Sequence, residues 1–349
     1  MYKGALEISG TIDLAQFYPN GSSDGDTIKL KVGTGKKAFR FYKQTNAAAR
    51  QTTVFIDGYT ISGKKKDGSP QVKKLINSKG TINIRLQGVD TPELHYPIIK
   101  VPTPLKKAIS KYLDSHPPRV FRQHWGGRVA HELGKFLKSI GGSPLPCIFR
   151  TAIDKPTDAV DSNGRFVGDV LVDNGRVNIG HWLIEHGWGV PGLYNSMSNE
   201  EIRIILDLTQ QAWDKQRGIW KTYSDDMNRP DLALTYDDDL HLQPSKDFGP
   251  HVCPKFFRRK IIWEIAQAGG ADTGDFRDFY AEHYAGHKCF RIDDFLKKHA
   301  KAKPVAMHTL LDDAMQLTAW PEEIVFKEDA SRFYIGDVDS KRVPTAADW

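Results

Sequence analysis

Thr81-Ile82-Asn83-Ile84-Arg85-Leu86-Gln87-Gly88-Val89-Asp90-Thr91-Pro92-Glu93 is the stretch on which the fold of this chain turns. Apolar and polar residues alternate into Leu86, as in a half-buried strand. Pro92 has no N–H to extend a ladder, so the chain must turn where Asp90, Thr91 and Glu93 collect. A turn that presents carboxylates suits a hard cation, because Ca²⁺ and Mg²⁺ prefer carboxylate and carbonyl oxygens. Arg85, near the end of the strand, adds a bidentate donor for phosphate beside that turn.

Two further segments belong with this one. In Asp24-Gly25-Asp26-Thr27 two carboxylates lie two residues apart as a turn enters a strand, so both can face the same side. Asn163-Gly164-Arg165 is a hairpin signal that carries a second arginine. Either segment alone is an ordinary turn; together they offer carboxylates, a cation site and two guanidiniums.

Outward from these motifs, strand patterns run over Leu6 to Phe17, Thr27 to Val32, Ala38 to Tyr42, Thr53 to Ile61, Thr81 to Leu86, Cys147 to Ile153 and Gly168 to Val172. Helical spacing marks Gly127 to Ile140, Asn178 to His186 and Ser198 to Gln216, each closed by glycine. The order of strands, helix, strands and helices is an α+β layout. From about Met227 the texture changes to an acidic, proline-punctuated connector. The expected division is therefore a domain over 1–226 and a helix-rich domain over 227–349. In the latter, Pro254 to Ala268, Phe276 to His283, Ile292 to Ala300 and His308 to Leu317 read as helices, and Glu323 to Phe326 and Phe333 to Ile335 as short strands.

Taken in order, the motifs resemble the staphylococcal nuclease-like (thermonuclease) family over roughly residues 5–222. The carriers are Asp-Gly-Asp-Thr, Arg-Leu-x-Gly-Val-Asp-Thr-Pro-Glu, Asp161-Ser162-Asn163-Gly164-Arg165 and Val170-Leu171-Val172-Asp173-Asn174-Gly175. Val177-Asn178, Glu185-His186-Gly187 and Arg217-Gly218-Ile219-Trp220 follow. The resemblance implies a five-stranded OB-type β-barrel with packed helices, a fold whose groove receives single strands. It implies one Ca²⁺ held by Asp26, Asp90 and the carbonyl of Thr91, with Glu93 as the carboxylate that positions or deprotonates the attacking water. Arg85 and Arg165 are then the phosphate clamp. The implied activity is hydrolysis of DNA and/or RNA, single strands preferred, to 3′-phosphates. A non-catalytic OB module that binds nucleic acid or protein is the alternative from the same fold.

The chain departs from compact members of that family in two places. About 50 residues separate Thr27 from Arg85, and His95 to Gly126 follows Glu93 as a second expansion that either covers the site or is a passive excursion. Tyr194 falls where the family places tyrosines on nucleotide, so it is a candidate substrate contact. The last 120 or so residues resemble no family, and tuning of specificity or regulation is their expected role.

Composition narrows the classes. The chain has 349 residues, 40% hydrophobic and 26% charged, which is ordinary for a globular protein and argues against broad disorder. No apolar run approaches the eighteen or so residues of a membrane span, so no membrane partnership is expected. The N-terminus alternates like a strand, so no export signal is expected, and the three cysteines are too few for a disulfide framework. A cytoplasmic location is expected, with delivery by a non-classical route left open. The cysteines leave one further option. His251-Val252-Cys253 and His287-Lys288-Cys289 are matched pairs whose ligands, with His283 as a substitute, could complete a tetrahedral Zn²⁺ site; the other reading is a buried cysteine beside an incidental histidine.

The net charge of +6 is concentrated: between Lys29 and Lys79 lie thirteen Lys and Arg against Asp57 and Asp67. Aromatic residues interleave with them, as on a strand-binding surface or on a solvated hairpin with a core-facing side. Lys64, Lys65, Lys66, Lys73 and Lys74 lie outside the motif set and are expected to bind substrate without taking part in bond cleavage. Each phosphate neutralised contributes about 0.7 to the salt slope on a single strand. Replacing all five by Ser should raise KM, flatten its salt dependence and leave kcat nearly intact. An unchanged salt slope would place the hairpin away from the substrate.

Overall fold

The computed structural model describes residues 4–33, 39–45, 48–53, 59–64, 70–74, 76–98, 101–116, 120–123, 125–153, 159–161, 163–221, 253–298, 301–313, 317–328 and 333–337; of those in 39–73 and 333–337, and at 120 and 153, only the main chain is described. Five strands close on themselves: β1 (Gly4–Ile12), β2 (Thr27–Val32), β3 (Thr81–Leu86), β4 (Leu145–Ile153) and β5 (Phe166–Val172). The β1–β4 pairing, from Gly4 opposite Ile153 to Ile12 opposite Leu145, shuts the barrel. The β3–β5 pair is parallel and sets Arg85 opposite Val167, while antiparallel β2 sets Thr27 opposite Arg85. The fold is an α+β OB-type barrel.

Alternation along the strands explains the core. Ile28, Leu30, Ile82, Ile84, Phe166, Val170 and Val172 are buried at every second position and meet Val129, Leu133 and Leu137 of α2 (Gly126–Ile140). Gly25 is required by close approach: a Cβ there would lie 2.7 Å from the Val129 side chain. A second tight spot ties α3 (Ile179–Glu185) to the end of α4 (Asn199–Asp214). Ile219 donates its N–H to Gly187 O at 2.9 Å, Arg217 Nη1 donates to Glu185 O at 3.0 Å, and a Cβ on Gly187 would meet Arg217 O at 2.1 Å.

Both insertions extend the architecture. Strand Phe39–Thr45 adds to β1 and pairs with Ala48–Thr53, and strand Tyr59–Lys64 pairs with Pro70–Lys74 and with Phe333–Asp337. The run expected as one strand from Thr53 to Ile61 thus falls in two strands separated by residues outside the described set. The second insertion carries α1 (Lys106–Ser115), which its sequence had not suggested. The first strand ends earlier than expected, because the Asp13 side chain accepts from Ala15 N–H and starts a 3₁₀ turn over Leu14–Gln16.

Residues 222–252, where the division between domains is expected, lie outside the described residues. On either side of them the chain shares sheet and core. The strand β6 (Val190–Tyr194) pairs with Gly88–Asp90 on one edge and, in parallel, with β8 (Ile324–Phe326) on the other; β8 in turn pairs with β7 (Lys288–Arg291). A second core joins Tyr96, Leu105, Ile109 and Phe121 of the insertion to Phe256, Phe257, Ile261 and Phe279. The latter belong to α5 (Pro254–Ala268) and α6 (Phe276–Tyr284); Phe295 of α7 (Ile292–Lys298) instead enters the barrel-side core. The helix expected over His308 to Leu317 is a 3₁₀ turn, Met307–Leu310, after which Leu311 bridges Leu317. No helix among the described residues is long and apolar enough to cross a membrane.

A fragment ending at Tyr223 should therefore uncover Tyr96, Leu105, Ile109 and Phe121. Each large side chain fully uncovered costs about 1.5–3 kcal/mol, so the fragment is expected to melt well below the full chain and to bind a hydrophobic dye. An unchanged melting temperature would show that the insertion finds its cover within residues 1–223.

Candidate active site

The three motifs converge at one end of the barrel. Leu86 donates its N–H to Asp26 O at 2.9 Å, so the Asp-Gly-Asp-Thr turn is stitched to the end of β3. The Asp26 carboxylate accepts from Thr91 N–H at 2.9 Å, which fastens the turn after Asp90 to it. Arg85 bridges the two acids: Nη1 pairs with Asp26 Oδ2 and Nη2 with Asp90 Oδ1. Asp26, Asp90 and Thr91 are buried. Burial opposes ionisation of Asp90, but the Arg85 and Arg258 guanidiniums outweigh it and hold its carboxyl below the ordinary range.

Glu93 sits on the same wall. Its N–H donates to Gln123 Oε1 at 3.2 Å and its carbonyl accepts from Gln123 N–H at 2.8 Å, so the second insertion fixes its backbone. Its carboxylate pairs with Arg258 Nη1, from α5. Burial, opposed by Arg258 and reinforced by Asp24, Asp26 and Asp90, pushes Glu93 up to about 7. Asp24 is pushed up to about 6 by burial and by Asp26, although its Oδ1 accepts from Leu94 and His95 N–H at 3.0 and 3.2 Å.

Arg165 completes the group from the hairpin before β5. Asp161 Oδ1 accepts from the N–H groups of Asn163 and Arg165, and its Oδ2 receives Arg165 Nε at 2.8 Å. Arg165 Nη1 reaches Thr27 Oγ1 at 3.4 Å. Tyr194, at the end of β6, is half-buried with its ring 5.8 Å from that of Phe326. Asp24, Asp26, Arg85, Glu93, Arg165 and Tyr194 line one cleft of about 470 Å³, whose other wall comes from residues 255–328; buried Asp90 and Thr91 do not line it.

The donor set suits a hard cation in part. Asp90 Oδ2 and Thr91 Oγ1 are buried without a hydrogen-bond partner, and Asp24, Asp26, Asp90 and Glu93 outnumber the guanidiniums of Arg85 and Arg258. Among the described residues no three His, Cys, Asp or Glu side chains form a metal cluster. A cation at Asp26 and Asp90 would thus draw on backbone carbonyl and water as well.

The other sequence candidates separate. Among the basic hairpin residues, Lys65 and Lys66 lie outside the described residues, Lys64 and Lys73 are described by main chain only, and Lys74 is exposed. His251 also lies outside them. Cys253 caps α5 and Cys289 lies on the buried face of β7, their thiols pushed up by burial to about 12 and about 11. His287 Nδ1 lies 3.2 Å from Tyr280 Oη. The described members of the expected Zn²⁺ set form no metal cluster, because the helix cap and the strand serve packing.

Sequence reading missed two site residues. Arg258 has no signal of its own on a helix rich in basic residues. Asp161, by contrast, has a signal in its motif: its hairpin position four residues before Arg165 marks it as the arginine's holder. Asp161→Ala should loosen Arg165 and weaken binding of a phosphate-bearing strand on the order of tenfold, with a smaller loss for Asp161→Asn, which keeps the turn's acceptor. Equal affinities for both variants and the parent would mean Arg165 is held otherwise.

No curated protein matches the chain. Residues 146–222, which span β4, β5, α3, β6 and α4 and include Arg165 and Tyr194, match the sequence model of the staphylococcal nuclease homologue family, and the chain carries a domain of that kind.

Proposed function

We propose that this cleft hydrolyses phosphodiester bonds of DNA and/or RNA, with single strands preferred, Ca²⁺ required and 3′-phosphates as products. The observation that carries the reading is the meeting of Asp26, Arg85, Asp90, Glu93 and Arg165 at one barrel end. Asp26, Asp90 and the carbonyl of Thr91 would hold the cation. When bound, Ca²⁺ supplies positive charge against the phosphate and lowers the cost of the dianionic transition state. Glu93 accepts the proton of the attacking water as the oxygen–phosphorus bond forms. Arg85 and Arg165 donate to the phosphoryl oxygens, offsetting charge as it develops. The phosphorus–O5′ bond breaks, and the 5′-oxygen leaves with a proton from solvent.

One observation favours the non-catalytic alternative: Glu93 is engaged by Arg258. A carboxylate kept in that pair accepts no proton, and the cleft would then only bind strands.

The full chain, given labelled single-stranded DNA and RNA with Ca²⁺ or with chelator, separates the two. Hydrolysis is expected only with Ca²⁺, and Glu93→Gln should lower kcat by roughly 10²–10⁴-fold with little change in KM. Salt-sensitive binding without turnover would favour the binding module.

A further inference from the structure

The wall that faces Glu93 is built by residues outside the matched segment. Lys255, Arg258 and Arg259 are spaced i, i+3 and i+4 on α5 and so share one helix face. All three line the cleft, joined by Lys288 and Lys327, whose strands meet where Lys327 N–H donates to Lys288 O at 2.9 Å. This wall carries five basic side chains and one acid, Glu328, whereas the barrel wall sets Asp24, Asp26, Glu93 and Asp161 against Arg85 and Arg165. The five basic side chains suit an anion, which they would hold off the acids of the barrel wall and within reach of its two arginines.

Two of the basic groups are placed for exchange. Lys255 Nζ lies 3.7 Å from the ring centre of Phe326 and 4.4 Å from that of Tyr194, and it forms no ion pair among the described residues. Its ammonium rests on π-faces, from which a phosphate oxygen would draw it at small cost. Arg258 holds Glu93 instead, so an incoming phosphate competes for a guanidinium already inside the cleft. Once Lys255 has turned to the phosphate, the Tyr194 face it leaves would take the base attached to that phosphate.

We propose that Lys255 and Arg258 form a second phosphate subsite, which holds the phosphate next to the scissile one on a single nucleic-acid strand. The substrate for which it selects is a strand of at least two consecutive phosphates. Engaging that phosphate moves Arg258 off Glu93, so the ion pair of the free protein opens as the strand is bound. That the neighbouring phosphate is the scissile one rests on the nuclease reading; the subsite itself does not need hydrolysis.

The test is equilibrium binding of the intact protein to a fluorescent thymidine tetranucleotide in chelator, at several salt concentrations. A parallel series replaces one internal phosphate at a time with a neutral methylphosphonate. One replacement is expected to weaken binding to the parent protein about tenfold, as does loss of one charge-assisted contact. Lys255→Ala and Arg258→Gln should each bind the natural strand about tenfold more weakly, with a salt slope lower by about 0.7, and should no longer sense that replacement. If Arg258→Gln fails to fold, Lys255→Ala carries the comparison. Undiminished sensitivity to methylphosphonate in both variants, an unchanged salt slope, or no binding by the parent protein would overturn the subsite. Cleavage is scored separately with Ca²⁺: this binding pattern without hydrolysis supports the subsite and removes the nuclease reading, while hydrolysis by a protein whose variants bind as the parent does removes the subsite alone.

Discussion

The guanidinium of Arg85, spread between the carboxylates of Asp26 and Asp90, is the contact on which the rest of the site depends. Three charges are taken from water together, and breaking such a buried group by removing one member costs about 3–5 kcal/mol. The arrangement is possible only if β2 and β3 keep the register that sets Thr27 against Arg85. A slip of one residue would turn Arg85 to the other face of the sheet and leave two buried carboxylates unpaired. The barrel's hydrophobic alternation and its charged end thus enforce the same register.

From that anchor the remaining geometry is local. Asp26 also takes the Thr91 N–H, which fixes the direction in which the chain leaves the barrel. Two residues later the Glu93 backbone is locked to Gln123, donating its N–H to the Gln123 side chain and accepting from the Gln123 N–H. The long insertion after Glu93 therefore has a structural role at its far end, since Gln123 belongs to it. Its middle packs α1 against α5 in the second core, so the segment that positions the candidate base also supports the helix that brings Arg258.

What was legible in the sequence follows the range of each interaction. Asp24 to Thr27, Arg85 to Glu93 and Asp161 to Arg165 are short motifs at strand ends, where period-two alternation and turn residues state which side chains face the same way. The closing glycines of α3 and α4 were likewise readable. Arg258 was not, because on a helix whose apolar side is Phe256, Phe257, Ile261 and Ile265, basic residues look like any solvated face. Only the docking of α5 beside Tyr96 turns that face inward. The paired His-x-Cys spacing suggested ligands for the same reason in reverse: spacing reports a shared face within a strand, and Cys253 lies in a helix cap. Short β6 and β7 escaped notice because neither alternates: β6 is buried at four successive positions and β7 only at its two central ones, whereas β8 was legible within Glu323 to Phe326.

The cleft lies at a seam, yet the seam is hydrogen-bonded. Strand β6 pairs with Gly88–Asp90 on one edge and with β8 on the other, so the barrel wall and the opposing wall are successive strands of one sheet. Val190 lies opposite Asp90 itself, and Lys327 directly follows the strand β8. The width of the cleft is consequently set by strand spacing and register, with no hinge in that path. Asp90, on the strand Gly88–Asp90, and Arg85, which is paired to it, are held on that frame before an anion arrives, which is the condition under which fixed charges act most strongly on a phosphate. The groups free to move are side chains, and among them Arg258 has the clearest choice of partner, because its guanidinium lies between a carboxylate it already holds and the space a phosphate would enter.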